Sequence, residues 1–419
     1  MKQGARLEAV IEVIERILTS NFPADYILRQ NLSQRRYAGS SDRRYIGDMV
    51  FQVLRNYFRL VEKCKVLEKR VTPRLLTILS YYEQNGLDHT ISSLTEGTYG
   101  LKLKNNETDM ISQLDATKIH EEKFAIKNFL FDEVERSLEN EYENVFYSLS
   151  KNPNVDVRVN TFRITRNKAV SELRKLGLEV IETPVSPVGI RFYKRLNFFN
   201  LNMFKEGLLE VQDEGSQIVS RLLGAEQGMN IVDICAGGGG KTLAMWSDMN
   251  EIGSITASDI SIKRLERIKP RIKRAGIKGI KIVSSMGEID NLFDLVLLDV
   301  PCSGSGAWRR RPEEGIRLSL TKLKNYRKLQ KSILQKGSKL VEKGGVLAYV
   351  TCSFIKSENE DQITSFLKEN NRFELLDSYY YWDKRISSIK PKRSEKYFNL
   401  RPHDYETDGF FLARLKRTK

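Results

Sequence analysis

Apolar residues spaced three and four apart run through the first third of the chain. Leu7, Val10, Ile11, Ile14, Ile17 and Leu18 fall on one helical face. Ile46, Met49, Val50, Val53, Leu54, Tyr57 and Phe58 repeat the pattern, with Ser41 and Asp42 as N-cap candidates before it. Leu75, Leu76, Ile78 and Leu79 follow Pro73, which suits the first turn of a helix. The stretch from Glu96 to Asp109, rich in Gly, Asn, Lys and Thr, predicts a loop, and Lys123 to Ser150 predicts another helical segment. No comparable strand alternation interrupts this region, so residues 1–150 are expected to form an all-α domain.

From Asp156 the pattern changes. VDVRVNTF predicts a strand, Thr165 caps a helix reaching Leu176, Gly177 ends it, and LEVIET returns as a strand. Residues 151–210 are therefore expected to be a small α+β segment. Beyond residue 211 helices and strands alternate. QDEGSQIVSRLLG and KTLAMW predict helices, and a basic segment from Ser261 to Ala275 follows the second strand. NIVDIC, GSITASD, IKIVSS, FDLVLLDV, GVLAYVTCS and a last GFFLARL predict strands. Continuously apolar strands with helices between them imply a parallel sheet covered on both faces. Residues 211–419 are expected to be an α/β domain, with Pro270 kinking or breaking the helix after its second strand.

Composition narrows the class of protein. The 419 residues are 40% hydrophobic and 29% charged, a globular balance with no apolar run near the ~18 residues of a membrane span. The net charge of +15 favours a polyanionic partner. Four cysteines without a CxxC do not form a disulfide scaffold, and three histidines argue against a structural zinc site. The first residues lack a continuous apolar stretch, so no secretory signal is expected. A reducing cytoplasm, where thiols stay free, is the expected compartment.

The segment DICAGGGGKT, Asp233 to Thr242, places four glycines between a strand and a helix. Backbone N–H groups can then approach a ligand at a helix N-terminus. Neither the P-loop spacing nor GxGxxG is met. The next strand ends in Asp259, about 20 residues beyond Gly239, where an acid bonds ribose hydroxyls. The pair suits an adenosine-containing cofactor, either a dinucleotide or S-adenosylmethionine.

Two thiols separate these readings. Asp299, Pro301 and Cys302 stand at the carboxyl end of a buried strand, and Cys352 ends the following one, 50 residues later. Adjacent strands lie about 4.8 Å apart, so both thiols face one cleft beside an acid and a cofactor loop. Cys64 and Cys235 have no such setting and, on position alone, are core residues. A thiolate, an acid and a methyl donor fit one reaction. Addition of the thiolate to C6 of a pyrimidine makes C5 nucleophilic, an acid holds N3 protonated, and a base then removes the C5 proton so the thiol can leave.

The fragments VQDEGSQ, DICAGGGGKT, DVPCSGSG, VTCSFIKSENE and DGFFLARL together resemble the RNA cytosine-5 methyltransferases of the Sun/Fmu (RsmB) type. SSDRRYIGDMVFQVLR resembles the NusB-like RNA-binding domain that this subfamily carries, and RVNTFR the segment between the two. The resemblance implies a Rossmann-like S-adenosylmethionine-dependent methyltransferase domain behind an all-α NusB-like domain. It also implies an RNA substrate, small-subunit ribosomal RNA; a monomer with no membrane partner is expected. It makes Cys352 the nucleophile, Cys302 the release residue, and Asp299 the partner of the cytosine N3 and amine. Lys241 then lies near the base or Asp299. Cys235, Ala236, Gly237, Gly238, Gly239, Gly240 and Lys241 surround the methionine part of the cofactor, with Asp299 beside it. Asp259 binds the ribose and Arg264 matches an Arg that follows it.

Two features depart from the family or extend it. The family loop reads CAAPGGKT where this chain has Gly237 and Gly238, and Ser284 and Ser285 stand where an Asp near the adenine is usual. Basic residues gather near the site: Lys263, Arg264, Arg267, Lys269, Arg271, Lys273 and Arg274, then Arg309, Arg310 and Arg311 beside Trp308. The triplet and its aromatic neighbour are expected to bind phosphates and a stacked base. A non-catalytic RNA-binding or assembly factor with a decayed methyltransferase domain is the rival reading. A NAD-dependent dehydrogenase is a weaker one that leaves both thiols unexplained.

Overall fold

The structure, a computed structural model, describes the chain except residues 96–99, 118–123, 125, 127, 195, 394 and 395; at 115–117, 128 and 286 it describes backbone alone. The chain divides into two compact units: Met1–Asn152 with Trp308–Ser319, and Pro153–Ala307 with Leu320–Lys419.

The first unit is helical. Gln3–Thr19 buries Leu7, Val10, Ile14 and Ile17 against Ile46, Met49, Val50 and Val53 of Ser40–Arg55, following the predicted stripes. Pro73 opens Pro73–Asn85, whose Leu75 N–H is accepted by the Thr72 hydroxyl at 3.1 Å. Gly39, not Ser41 or Asp42, caps Ser40–Arg55; Asp42 sits three residues further in and accepts the Gly39 N–H at 3.3 Å. The predicted loop Glu96–Asp109 is partly helical, since Asn105–Thr117 begins inside it; Glu96 itself lies outside the described residues. Glu107 explains the helix start, because its carboxylate accepts the Lys104 N–H at 2.9 Å and the Arg74 guanidinium at 2.7 Å. The segment predicted from Lys123, also outside the described residues, contains the helices Asn128–Leu138 and Tyr142–Ser150.

Trp308–Ser319 is part of this helical unit. The Trp308 indole is 4% exposed, with ring centroids of Phe58 and Phe146 each 6.4 Å away. Glu313 accepts the Ala24 N–H at 3.0 Å, and Arg317 donates to the carbonyls of Phe22 at 3.0 Å and Ile17 at 2.6 Å. This corrects the expectation of an exposed basic triplet beside a stacking Trp. Arg309 is buried, Arg310 is half-buried and Arg311 alone of the three is exposed. Apolar packing claims the indole, so no base can stack on it in this state.

The second unit opens with a four-stranded antiparallel sheet. Its strands are β1 (Val155–Val159), β2 (Val180–Glu182), β3 (Gly189–Phe192) and β4 (Leu209–Val211), in the order β2-β3-β1-β4. Helix Arg166–Lys175 crosses between the first two strands, and the Thr165 hydroxyl accepts the Lys168 N–H. This sheet clusters with the larger one rather than standing apart. A buried ion network joins them: Arg191 of β3 donates to Asp156 at 2.8 Å and to Glu214 at 3.1 Å. Glu214 opens helix Glu214–Leu222 and also accepts the Val185 and Ser186 N–H groups.

The larger sheet contains β5 (Asn230–Asp233), β6 (Ser254–Ser258), β7 (Ile280–Val283), β8 (Phe293–Asp299), β9 (Val341–Thr351), β10 (Phe373–Leu376), β11 (Phe398–Leu400) and β12 (Phe410–Arg417). Its order is β10-β12-β9-β8-β5-β6-β7, with β11 also on β12. The expected parallel arrangement holds from β9 to β7, and β12 runs antiparallel to β9. The apolar run in GFFLARL reports a buried strand but carries no direction, and β10 and β11 are too short to stand out. The helix after β6 breaks as predicted, into Ile262–Leu265 and Ile268–Ala275, with Pro270 in the first turn of the second piece.

Trp308→Ala should cost about 3 kcal/mol of stability, the usual range for emptying an aromatic site. Urea unfolding followed by circular dichroism measures it; a loss below about 1 kcal/mol would place the indole outside the interior.

Candidate active site

The carboxyl ends of β5, β6, β8 and β9 bring the predicted residues together. The loop after β5 turns sharply at Gly237 and Gly239, whose φ angles are +55° and +80°. A Cβ on Gly239 would stand 2.3 Å from Ile268, so the close approach itself requires glycine. Gly238 and Gly240 have no such need: a Cβ there would meet its nearest atom at 3.4 and 3.9 Å. Two glycines therefore make the turn and two leave its backbone open, beside the N-terminus of helix Gly240–Asp248.

Asp259, 3% exposed, organises this loop from the end of β6. One oxygen accepts the Gly237 N–H at 2.8 Å and has Arg264 at 3.7 Å; the other accepts the Ser261 N–H at 2.8 Å. Arg271 donates to the Gly238 carbonyl and pairs at 2.9 Å with Glu210 of β4, which also holds Arg274. Those two members of the basic run therefore brace the loop. Lys263, Arg264, Arg267, Lys269 and Lys273 remain exposed.

Parallel pairing sets Asp299 of β8 opposite Val350 of β9. The loops beyond these strands bring the sulfurs of Cys302 and Cys352 to 3.5 Å. The hydrogen bond with the Cys352 sulfur, then burial, raises the Cys302 thiol well above its usual range. Lys241 donates to Asp299 at 2.8 Å and lies 5.1 Å from the centre of the Phe410 ring. Burial pulls its ammonium down, but the charge and hydrogen bond of Asp299, with Cys352 and Asp233 nearby, together outweigh this and the net direction is up. Cys235 is pushed up by burial and by surrounding carboxylates, so its thiol stays neutral, and burial lifts Cys64 to about 11.

Sequence reasoning passed over Asp233 as a functional group. It is 1% exposed; its Oδ2 accepts the Thr242 hydroxyl at 2.7 Å and its Oδ1 has no partner among the described residues. Burial pushes its carboxyl up to about 7, and the Asp299 charge adds to this. An unpaired buried carboxylate oxygen beside an open glycine backbone fits the ammonium and carboxylate of an amino-acid moiety. The residues present thus accommodate S-adenosylmethionine. Ile260, also passed over, directly follows Asp259 and is 95% exposed. Apolar surface beside an acid at a strand end was the signal that could have found it. Ser284, in the region of the missing acid, bonds Glu288 at 2.8 Å.

A glycine loop after one strand, an acid after the next, and an antiparallel strand closing an otherwise parallel sheet make this a Rossmann-like methyltransferase domain. Residues 220–416 match the family described as 16S rRNA methyltransferase RsmB/F, and residues 128–198 match its ferredoxin-like domain. The probable ribosomal RNA small subunit methyltransferase B of Synechocystis sp. is 30% identical over 315 residues, covering 73% of this chain and 70% of that one. The crystal structure of PH0851 superposes with a TM-score of 0.73 at 26% identity and covers 100% of both chains. A methyltransferase homolog protein from Pyrococcus horikoshii gives 0.59 at 25% identity, covering 75% of this chain and 100% of that one. The chain belongs to the RsmB/F family of 16S rRNA methyltransferases.

Asp233→Asn keeps an acceptor for Thr242 and removes the charge. The carboxyl titrates near 3.8 when unfolded and near 7 when folded. Stability therefore falls as pH rises between those values and stays lower above them. The substitution should raise the melting temperature of the ligand-free chain at pH 8 by at least about 2 °C. It should also weaken S-adenosylmethionine binding at least about tenfold. Thermal melts and calorimetry check both; a lower melting temperature at pH 8 contradicts the burial argument.

Proposed function

We propose that the chain methylates C5 of a cytosine in small-subunit ribosomal RNA through a covalent adduct on Cys352. The observation that carries this reading is the pair of sulfurs 3.5 Å apart beside the Lys241–Asp299 pair. S-adenosylmethionine supplies the electrophilic methyl group. The loop Cys235, Ala236, Gly237, Gly238, Gly239, Gly240 and Lys241 holds its methionine part, with Asp233 and Asp299 beside it. Asp259 takes the ribose and Arg264 borders it. Ile260 offers the adenine an apolar face, in place of the acid that Ser284 and Ser285 replace.

The chain's own groups divide the steps. Cys302, held as a thiol, donates toward the Cys352 sulfur and stabilises its thiolate before attack. That thiolate adds to C6 of the cytosine. Asp299 has one oxygen engaged by Lys241, leaving the other for the base edge. The pair compensates the charge that builds at N3 and supplies its proton. Once Cys352 is bonded to carbon, Cys302 loses its acceptor; its thiol gives its proton to water, and the thiolate so formed takes the C5 proton after methyl transfer. The electron pair of that C–H bond restores the C5–C6 double bond, the C6–S bond breaks to return the Cys352 thiolate, and N3 gives its proton back to the Lys241–Asp299 pair. Attack at C6 needs an unstacked base, so the target cytosine is single-stranded or flipped out. The exposed Lys263, Arg267 and Lys269, and Arg311 in the helical unit, supply phosphate contacts.

The two cysteines should fail differently. Cys352→Ala should abolish both adduct and methylation. Cys302→Ala should add and methylate more slowly and fail to release, leaving a slow band of protein on RNA in a denaturing gel when cofactor is present. The band should vanish in the double variant. Trapping by Cys352→Ala alone would exchange the roles, and trapping by neither would remove covalent catalysis. Bisulfite sequencing of ribosomal RNA from a strain lacking the protein tests the substrate; unchanged 5-methylcytosine would favour the assembly-factor reading.

A further inference from the structure

Glu358 ends the short turn Lys356–Glu358 beyond β9 and is fully buried. One carboxylate oxygen accepts the Ser303 N–H at 2.9 Å and the Gln330 side-chain amide at 3.0 Å. The other accepts the hydroxyls of Ser303 at 2.5 Å and Ser353 at 2.7 Å. Ser303 directly follows Cys302, and Ser353 directly follows Cys352. A single carboxylate thus grips the residue after each thiol.

A further set of bonds extends this grip. The Ser305 hydroxyl lies 3.0 Å from that of Ser353 and accepts the Phe354 N–H at 2.9 Å. The Gly306 N–H donates to the Cys352 carbonyl at 3.0 Å. Asn359 accepts the Thr351 hydroxyl and donates to the Ser353 carbonyl. Burial lifts the Glu358 carboxyl, and the serine and glutamine hydrogen bonds oppose that rise. A buried acid is costly unless its acceptor sites are filled, and here both oxygens have two donors. None of these donors is a reacting atom.

We infer that Glu358 is a positioning residue: it clamps the Cys302 and Cys352 loops so that the two sulfurs stay in contact. Its effect on turnover rests on the proposed cysteine chemistry; its effect on sulfur spacing does not. An apolar side chain at this place would leave the Ser303 N–H and two hydroxyls buried without their acceptor, and the loops would move to find others. Sulfurs that separate can no longer pass a hydrogen bond from Cys302 to Cys352, although each thiol remains present.

Disulfide closure measures the spacing without RNA or cofactor. Diamide, a diazene oxidant, accepts two electrons and two protons as the two thiols join. Alkylation and peptide mass then give the rate at which Cys302 bonds to Cys352. Glu358→Ala should close at least about tenfold more slowly than the wild type, the scale expected for sub-ångström to ångström misplacement. Glu358→Gln should recover most of that rate, because its oxygen can keep the Ser303 N–H while the serine hydroxyls turn to accept from its amide. With saturating cofactor, kcat should fall in the same order while KM for RNA stays unchanged. Wild-type closure in a folded Glu358→Ala chain overturns the proposal. Ser353→Ala removes one arm and serves where Glu358→Ala does not fold; wild-type closure there overturns it equally. If closure slows as expected but the wild type makes no 5-methylcytosine, the cytosine reading fails and the clamp stands.

Discussion

Parallel pairing of β8 with β9 is the constraint on which the site depends. The strands stop at the same height, with Asp299 opposite Val350, so whatever follows each strand emerges into the same space. Side chains alternate faces along a strand, so a slip of one residue would exchange the side chains packed against the two layers that cover the sheet. Here the buried runs Leu295–Leu298 and Leu347–Val350 fix the register, and the pairing shifts only at the far end, between Phe293 and Leu295. The irregularity lies away from the chemistry. The meeting of two thiols is thus a product of core packing rather than of any affinity between them.

Three aspartates, Asp233, Asp259 and Asp299, crowd the same sheet end, and each is treated differently. Asp259 is satisfied by backbone N–H groups and shapes the loop. Asp299 is matched by a buried ammonium. Asp233 keeps one oxygen unmatched, with a carboxyl lifted by burial. Burying like charges together is unfavourable unless each finds a separate partner. The arrangement leaves one buried acceptor oxygen without a partner among the described residues, a desolvation cost that the folded chain carries at this sheet end.

Much of this was legible in the sequence because it rests on local periodicity. The helical stripes around Ile14 and Val50, the strand ends at Asp233, Asp259 and Asp299, and the break near Pro270 all follow from spacing and residue type. The direction of β12 did not, because a run of buried apolar residues is the same read either way. Asp233 was missed because a carboxylate at a strand end looks identical whether or not both oxygens are bonded. Trp308 and Arg309 were misplaced because a basic, aromatic stretch beside a reactive loop has the composition of a surface. Their burial depends on Phe58 and Phe146, far away in sequence. Long-range apolar partners outweighed local charge.

The passage of Trp308–Ser319 through the helical unit has a genetic consequence. The chain leaves one unit and enters the other at three places: after Asn152, after Ala307 and after Ser319. A recombination event that exchanged the first 152 residues for an unrelated module would leave the methyltransferase gene encoding an orphan segment, with Trp308 and Ile316 stripped of their apolar surroundings. Shuffling as beads on a string is closed to such an architecture. The first 152 residues and the segment Trp308–Ser319 must be inherited together, although they lie far apart in the gene.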